Sequence, residues 1–278
     1  MMVRTTSGAE QNKCKWTTGT GLVVHFRGAL RMNKKILNSN HLKLIAIIAM
    51  TIDHFTDLLY PNFPVEPLPV ALHVIGRLTA PIMWFFICEG YHYTRDVKKY
   101  MLRLGIFAII SHFAYCFGFG IELNPLKGGI FNRTSVMYPL FIAVVVLYIG
   151  EHVNVLKTWQ KFIIQFILVW SAFPADWSCI AVLAIVDMYV RRGNLEKQML
   201  KIIQWVTVYA LVSYFFVSKA YAFVMLGVLL VYPVLKLYND ERGKAKWMKW
   251  FFYIYYPLHL IILGILRILI YGNVNICL

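Results

Sequence analysis

From about residue 42 onward the chain repeats one pattern: a long apolar run, then a short polar break. The runs are 42–60, 70–88, 101–121, 135–150, 159–174, 177–190, 199–217, 220–237 and 249–271. A membrane-crossing helix needs roughly 20 mostly apolar residues. Most of the runs approach that length; the fourth, fifth and sixth are shorter. Only Phe173, Pro174, Ala175 and Asp176 separate the fifth from the sixth, which predicts a tight helical hairpin. There is no heptad, no low-complexity tract and no internal repeat of the kind that marks many transporters. The pattern predicts an all-α fold, a polytopic transmembrane helix bundle of about nine spans. These spans form one domain at 36–272, with a short tail at 273–278.

Residues 1–35 break the pattern. They are polar, basic and rich in Gly and Thr, and they hold no apolar core of the signal-peptide type. They are expected to be a flexible basic segment, or an upstream reading of a start at Met32.

Composition agrees with a lipid-solvated protein. Hydrophobic residues make up 59% and charged residues 15%, well under the typical quarter. Mean hydropathy is +0.61. So few charges cannot cover a soluble surface of this size. The formal net charge of +15 would first suggest nucleic acid. The placement of the basic residues argues otherwise. Of 28, 23 fall in the N-terminal segment, in alternate breaks or at the run ends that border them, three in the other breaks and two, Arg77 and Arg267, well inside runs. That is a positive-inside signature: it implies a cytoplasmic N-terminus, an inner (cytoplasmic) cell membrane location and no nucleic-acid partner. Membrane lipid is the expected partner, and anionic lipid is compatible with the excess charge. The five cysteines show no metal-ligand spacing, and no metal site is expected.

Ionisable groups inside hydrocarbon are costly, so each is a functional candidate. Asp53 and His54 lie deep in the first run, with Asp57 one turn later. Lys43 precedes His54 by 11 residues, about three turns and roughly 16 Å, on the same stripe. A basic group at the entrance suits a phosphate-bearing donor, and a deeper histidine suits proton transfer. Arg77, descending in the second run, reaches a depth similar to that of Asp53 and is expected to pair with it. Glu89 ends that run, with Arg95 just beyond. His259 lies beside Pro257 in the last run. The bland alternatives are that Lys43 is a snorkelling anchor and that Asp53, His54 and Arg77 only neutralise one another. His112 reads as structural, and Asp187 and Glu151 as interface groups.

One set of these residues also carries a resemblance. It comprises Leu42-Lys43, Ile52-Asp53-His54, Ile75-Gly76-Arg77, Ala80-Pro81-Ile82, Glu89-Gly90, Thr94-Arg95 and the block from Tyr253 to Leu260. In order and spacing they resemble the TraX family of polytopic membrane proteins over about residues 36–272. Asp176-Trp177 is a weaker match. The family's namesake is needed to acetylate the N-terminus of a conjugation pilin. The family in turn resembles transmembrane acyltransferases that take acetyl-CoA from the cytoplasm, whose first span often shows a basic residue and a histidine with ten residues between them, as Lys43 and His54 stand here.

The resemblance implies His54 as the catalytic or acetyl-carrying histidine, with Asp53, Arg77 and His259 around it. Lys43, Glu89 and Arg95 would lie on the path of acetyl-CoA. The expected function is an integral membrane acetyltransferase acting on an amine or hydroxyl of a peptide, glycan or lipid acceptor. The rivals are a transporter or flippase with a polar path, and a non-catalytic membrane assembly factor. Side chains gathered around one cavity would favour the enzyme; dispersed ones would weaken it.

Overall fold

The computed structural model describes residues 35–124, 132–245 and 247–276. The predicted flexible segment and the Met32 start therefore lie outside the described residues, apart from Lys35. The described chain is all-helical, and it includes no strand.

The helices are α1 (Ser39–Leu59), α2 (Pro67–Gly76), α3 (Thr79–Tyr93), α4 (Val97–Phe119), α5 (Met137–His152) and α6 (Thr158–Ser171). They continue with α7 (Ser178–Val190), α8 (Leu195–Phe216), α9 (Lys219–Val224), α10 (Val231–Lys236) and α11 (Met248–Tyr271). Every apolar run is helical, but two are broken. The 70–88 run divides at Arg77-Leu78 between α2 and α3. The 220–237 run passes through a 3-10 segment, Met225–Leu230, between α9 and α10.

Among the described residues, five stretches are long and apolar enough to cross a membrane: Pro67–Tyr93, Val97–Phe119, Leu195–Phe216, Lys219–Lys236 and Trp250–Tyr271. The protein is thus a multi-pass membrane protein by length and composition. α1 carries Lys43, Asp53 and Asp57 within 21 residues and falls outside that set, while α5 and α7 are apolar but shorter.

The helix ends are sealed locally. Asn38 caps α1, its side chain accepting from the backbone N–H of Asn40 and His41, while His41 returns a bond to the Asn38 N–H. The chain just before α1 is held by Leu37 and Asn239, which exchange backbone bonds with the 237–239 turn and Leu37. Asp96 caps α4; accepting from the Lys99 N–H favours its ionised form and lowers its pKa.

α4 and α11 approach closely because each places a glycine against the other's backbone. A Cβ at Gly118 would meet the Leu260 carbonyl at 2.9 Å, and one at Gly264 would meet the Phe117 carbonyl at 2.8 Å. The fully buried Arg267 of α11 then closes the end of α4. Its guanidinium donates to the carbonyls of Phe117 and Gly118 at 3.1 Å each and to Val274 at 2.6 Å. A cation over the last carbonyls of a helix is well placed for the helix dipole. The same bonds fold the 273–276 tail back, where Ile276 is buried and donates its N–H to the Phe119 carbonyl.

Gly264→Val is expected to force α4 and α11 apart, at about 1–3 kcal/mol for overpacking. Thermal melts in detergent should show a lower midpoint. The lipid-facing neighbour change Ile265→Val should leave it nearly unchanged; equal melts for both would contradict the close-approach account.

Candidate functional site

α1 and α2 cross where Gly76 faces Asp53. A Cβ at Gly76 would collide with the Asp53 side chain, so glycine permits this approach. There Asp53 receives two donors from α2, one helical turn apart. His73 Nδ1 lies 2.8 Å from Asp53 Oδ1, and Arg77 Nη2 donates to the same oxygen at 3.1 Å. The pairing of Asp53 with Arg77 expected from the sequence is present. Arg77 is almost fully buried, and its guanidinium also lies over the rings of Tyr221 at 5.4 Å and Trp177 at 5.7 Å. His73 is buried too; its Nε2 is 3.7 Å from Asp57 Oδ1, within ion-pair reach but beyond a hydrogen bond.

His54, next in sequence to Asp53, turns to a different partner. Its Nδ1 lies 2.8 Å from Nε2 of His259 on α11. The other nitrogen of His259, Nδ1, lies 2.9 Å from the Tyr255 carbonyl oxygen. A carbonyl only accepts, so His259 carries its proton on Nδ1. A neutral His259 then offers Nε2 as an acceptor, and the shared proton sits on His54 Nδ1. This leaves Nε2 as the basic nitrogen of His54. The tautomer follows from the bonding pattern, as it must where hydrogens are not seen. Asp53 does not orient the His54 imidazole through a direct bond; His259 does. The chain runs on locally: the Tyr255 hydroxyl and Thr51 Oγ1 are 2.7 Å apart, tying α11 to α1 again.

Asp53, His54, Asp57, Arg77 and Asp176 line one cavity of about 40 Å3, together with Phe63, Tyr115, Phe119, Asn132 and Tyr221. That is room for a few waters or small reacting groups, not for a nucleotide. The lining comes from the C-terminal ends of α1 and α4, the α2–α3 break and the starts of α5, α7 and α9. All lie at one end of the bundle.

The loops here are pinned. Asp176 donates its N–H to the Thr134 carbonyl at 2.8 Å, and Arg133 donates its own to Pro174 at 2.7 Å. Several non-glycine residues around the cavity hold left-handed backbone: Phe63 (φ 51°), Asn132 (φ 53°), Trp177 (φ 63°) and Ser178 (φ 51°). Such strain costs of order 1–3 kcal/mol each and gathers at functional sites. Among the described residues, buried His73 Nε2 and Arg77 Nε have no hydrogen-bond partner, a further sign of a site open to more than its own side chains.

The structure thus brings together Asp53, His54, Arg77 and His259. It does not bring Lys43, Glu89 or Arg95 to them. Lys43 Nζ lies 5.2 Å from the centre of the Phe86 ring. Glu89 is engaged by Arg192, whose Nε and Nη2 donate to its two carboxylate oxygens at 2.8 and 3.1 Å. Arg95 is exposed after the end of α3. His112 is structural, as expected: Thr134 Oγ1 lies 3.0 Å from its Nδ1, and its Nε2 is 2.8 Å from the Leu123 carbonyl.

His73 and Tyr221 were not among the residues expected from the sequence, and Asp57 and Asp176 carried little weight there. One signal was present: acids four apart at 53 and 57 on one helix match a histidine and an arginine four apart at 73 and 77 on the next. Asn132 and Asp176 arrive from distant loops and Tyr221 from the start of α9, and none carries such a local signature.

An all-helical membrane bundle with a hydrogen-bonded ionic cluster in its interior defines a polytopic membrane protein with a built polar centre. The chain belongs to the TraX protein family, whose profile matches residues 38–267. Among curated proteins it is similar to the probable fimbrial assembly protein FimC, serogroup H1, of Dichelobacter nodosus. The two are 28% identical over 231 residues, covering 80% of this chain and 92% of that one. No solved structure matches.

Asp53→Asn alone should strand the buried Arg77 charge and destabilise the protein by about 3–5 kcal/mol. The double change Asp53→Asn with Arg77→Gln should recover most of that loss in thermal melts. If the two single losses simply added, the ion pair would not be the interaction that matters.

Proposed function

We propose that the protein is an integral membrane acetyltransferase, with His54 as the base that starts transfer. The observation that carries the reading is the His54–His259 bond, which leaves His54 Nε2 as a basic nitrogen on a residue lining a charged cavity. In this reading Nε2 takes the proton of an acceptor amine or hydroxyl as it attacks the acetyl carbonyl of acetyl-CoA. The new N–C or O–C bond forms, the C–S bond breaks, and the thiolate leaves with a proton returned from the imidazole. His259 holds the imidazole's tautomer and orientation and is a positioning residue. Arg77, held by Asp53, supplies positive charge beside the developing oxyanion.

The nucleotide of acetyl-CoA exceeds the cavity, so its phosphates are proposed to stay outside it. Lys43 and Arg95, at the other end of the bundle, would attract them, so the pantetheine arm would have to run the roughly 16 Å along α1 from Lys43 to His54; Glu89, paired with Arg192, would act only by holding that end. In topology, the positive-inside distribution favours nine spans in the inner membrane with a cytoplasmic N-terminus. The acceptor is a peptide, glycan or lipid bearing the amine or hydroxyl.

A second reading is favoured by one finding, the name of the fimbrial assembly relative: a non-catalytic factor for assembling a surface fibre, in which the ionic cluster only joins helices.

His54→Ala should lower the rate of coenzyme A release from acetyl-CoA by about 10²–10⁴, with membrane insertion retained and the melting point lowered only by the loss of one buried hydrogen bond, about 1–3 kcal/mol. His259→Gln should lower kcat with little change in KM for acetyl-CoA. Wild-type turnover in a folded His54→Ala protein would contradict the catalytic reading and leave the assembly reading standing.

A further inference from the structure

The larger cavity lies at the opposite end of the bundle, away from His54. It has a volume of about 540 Å3, within the range of ligand pockets. It runs between α5, α6 and α7 and reaches the end of α3. Val146, Leu147, Val186 and Val190 make its apolar wall; His92, Glu151 and Arg192 make its polar rim. The groove is open because α6 is only lightly attached. That helix has no buried residue. Its polar ties to α5 are Gln165 Nε2 donating to the Val146 carbonyl at 3.0 Å, Lys161 Nζ donating to the Gly150 carbonyl at 3.3 Å and, at the far end from this groove, the Tyr138 and Ser171 hydroxyls 3.0 Å apart.

α3, α5 and α7 all end here, at Tyr93, His152 and Val190. The rim therefore sits where apolar helices give way to polar chain, the depth of lipid headgroups. The apolar wall continues one to two turns inward, the depth of acyl chains.

The rim carries both signs of charge. Arg192 donates through Nε and Nη2 to Glu89 and lies 4.8 Å over the Tyr93 ring. It is held in place while further N–H groups of its five remain to meet an anion. Glu151 accepts from the Tyr91 hydroxyl at 3.0 Å and is also hydrogen-bonded by Tyr189, which leaves about two of the four acceptor positions on a carboxylate. A purely anionic headgroup would meet Arg192 but face Glu151. A hydrocarbon alone would use neither polar group of the rim.

We propose that this groove holds one zwitterionic aminophospholipid, of the phosphatidylethanolamine type. One acyl chain lies along Val146, Leu147 and Val186, the phosphate meets Arg192, and the primary ammonium meets Glu151. This site needs only the membrane location, not acetyl transfer, so the two readings stand or fall separately.

The test is native mass spectrometry of the purified full chain, equilibrated with equimolar phosphatidylethanolamine and phosphatidylglycerol of matched chains. One phosphatidylethanolamine should be retained over phosphatidylglycerol by roughly fivefold, the scale of one partly exposed ion pair. Glu151→Gln should bring that ratio close to one. Val190→Trp, at a position 72% exposed in the wall, should fill the mouth and lower retention of both lipids. Equal retention of the two lipids by the wild-type protein would overturn the proposal. So would Glu151→Gln with the preference intact, whether or not Val190→Trp folds.

Discussion

Asp53 and Arg77 face one another inside an apolar bundle, and much of the surrounding structure exists to let them. Each alone would carry a large desolvation penalty, while together and hydrogen-bonded the charges are tolerable. The contact requires α1 and α2 to touch, which requires Gly76. It places Arg77 at the break between α2 and α3, and it brings the Tyr221 and Trp177 rings around the guanidinium. With α2 fixed in this way, the adjacent His54 faces α4 and α11 rather than α2. It stacks on His259, with ring centroids 5.1 Å apart, and meets the edge of Phe119. The ion pair and the histidine pair are thus neighbours in sequence with separate duties. One joins α1 to α2; the other joins α1 to α11 and sets a proton.

Much of this was legible in the chain, for a physical reason. Hydrocarbon penalises every charge, so the few ionisable groups inside apolar runs stand out without any alignment. Asp53, His54, Arg77 and His259 were visible in this way, and they are the ones the structure gathers. The helical segments were legible too, because a long apolar run in lipid satisfies its backbone only as a helix. The breaks were legible only in part: Gly76 and Pro81 allow a kink in the second run, which breaks at Arg77-Leu78, whereas the 3-10 segment at Met225–Leu230 is set by tertiary packing in a sequence that remains apolar throughout.

Lys43 shows where spacing misleads. Eleven residues place it on the His54 stripe of α1, but a stripe says nothing of which neighbour a long side chain reaches, and its ammonium lies near Phe86 instead. Glu89 was likewise read by position alone, whereas its carboxylate is taken by Arg192 from α7's end, 103 residues away. Pairing across such a distance has no local trace. The consequence is a molecule with two polar ends of different kinds: a small charged cavity around His54, and a wide amphiphilic groove bounded by Arg192 and Glu151.

The central claim is that the His54 cavity transfers acetyl groups. It is tested most directly by incubating the purified protein with acetyl-labelled acetyl-CoA and a membrane extract, then following the label. The account predicts label moving onto an amine or hydroxyl of an acceptor in the extract, with coenzyme A released in equal amount. Folded protein that leaves all label on acetyl-CoA, whatever extract is supplied, would contradict it.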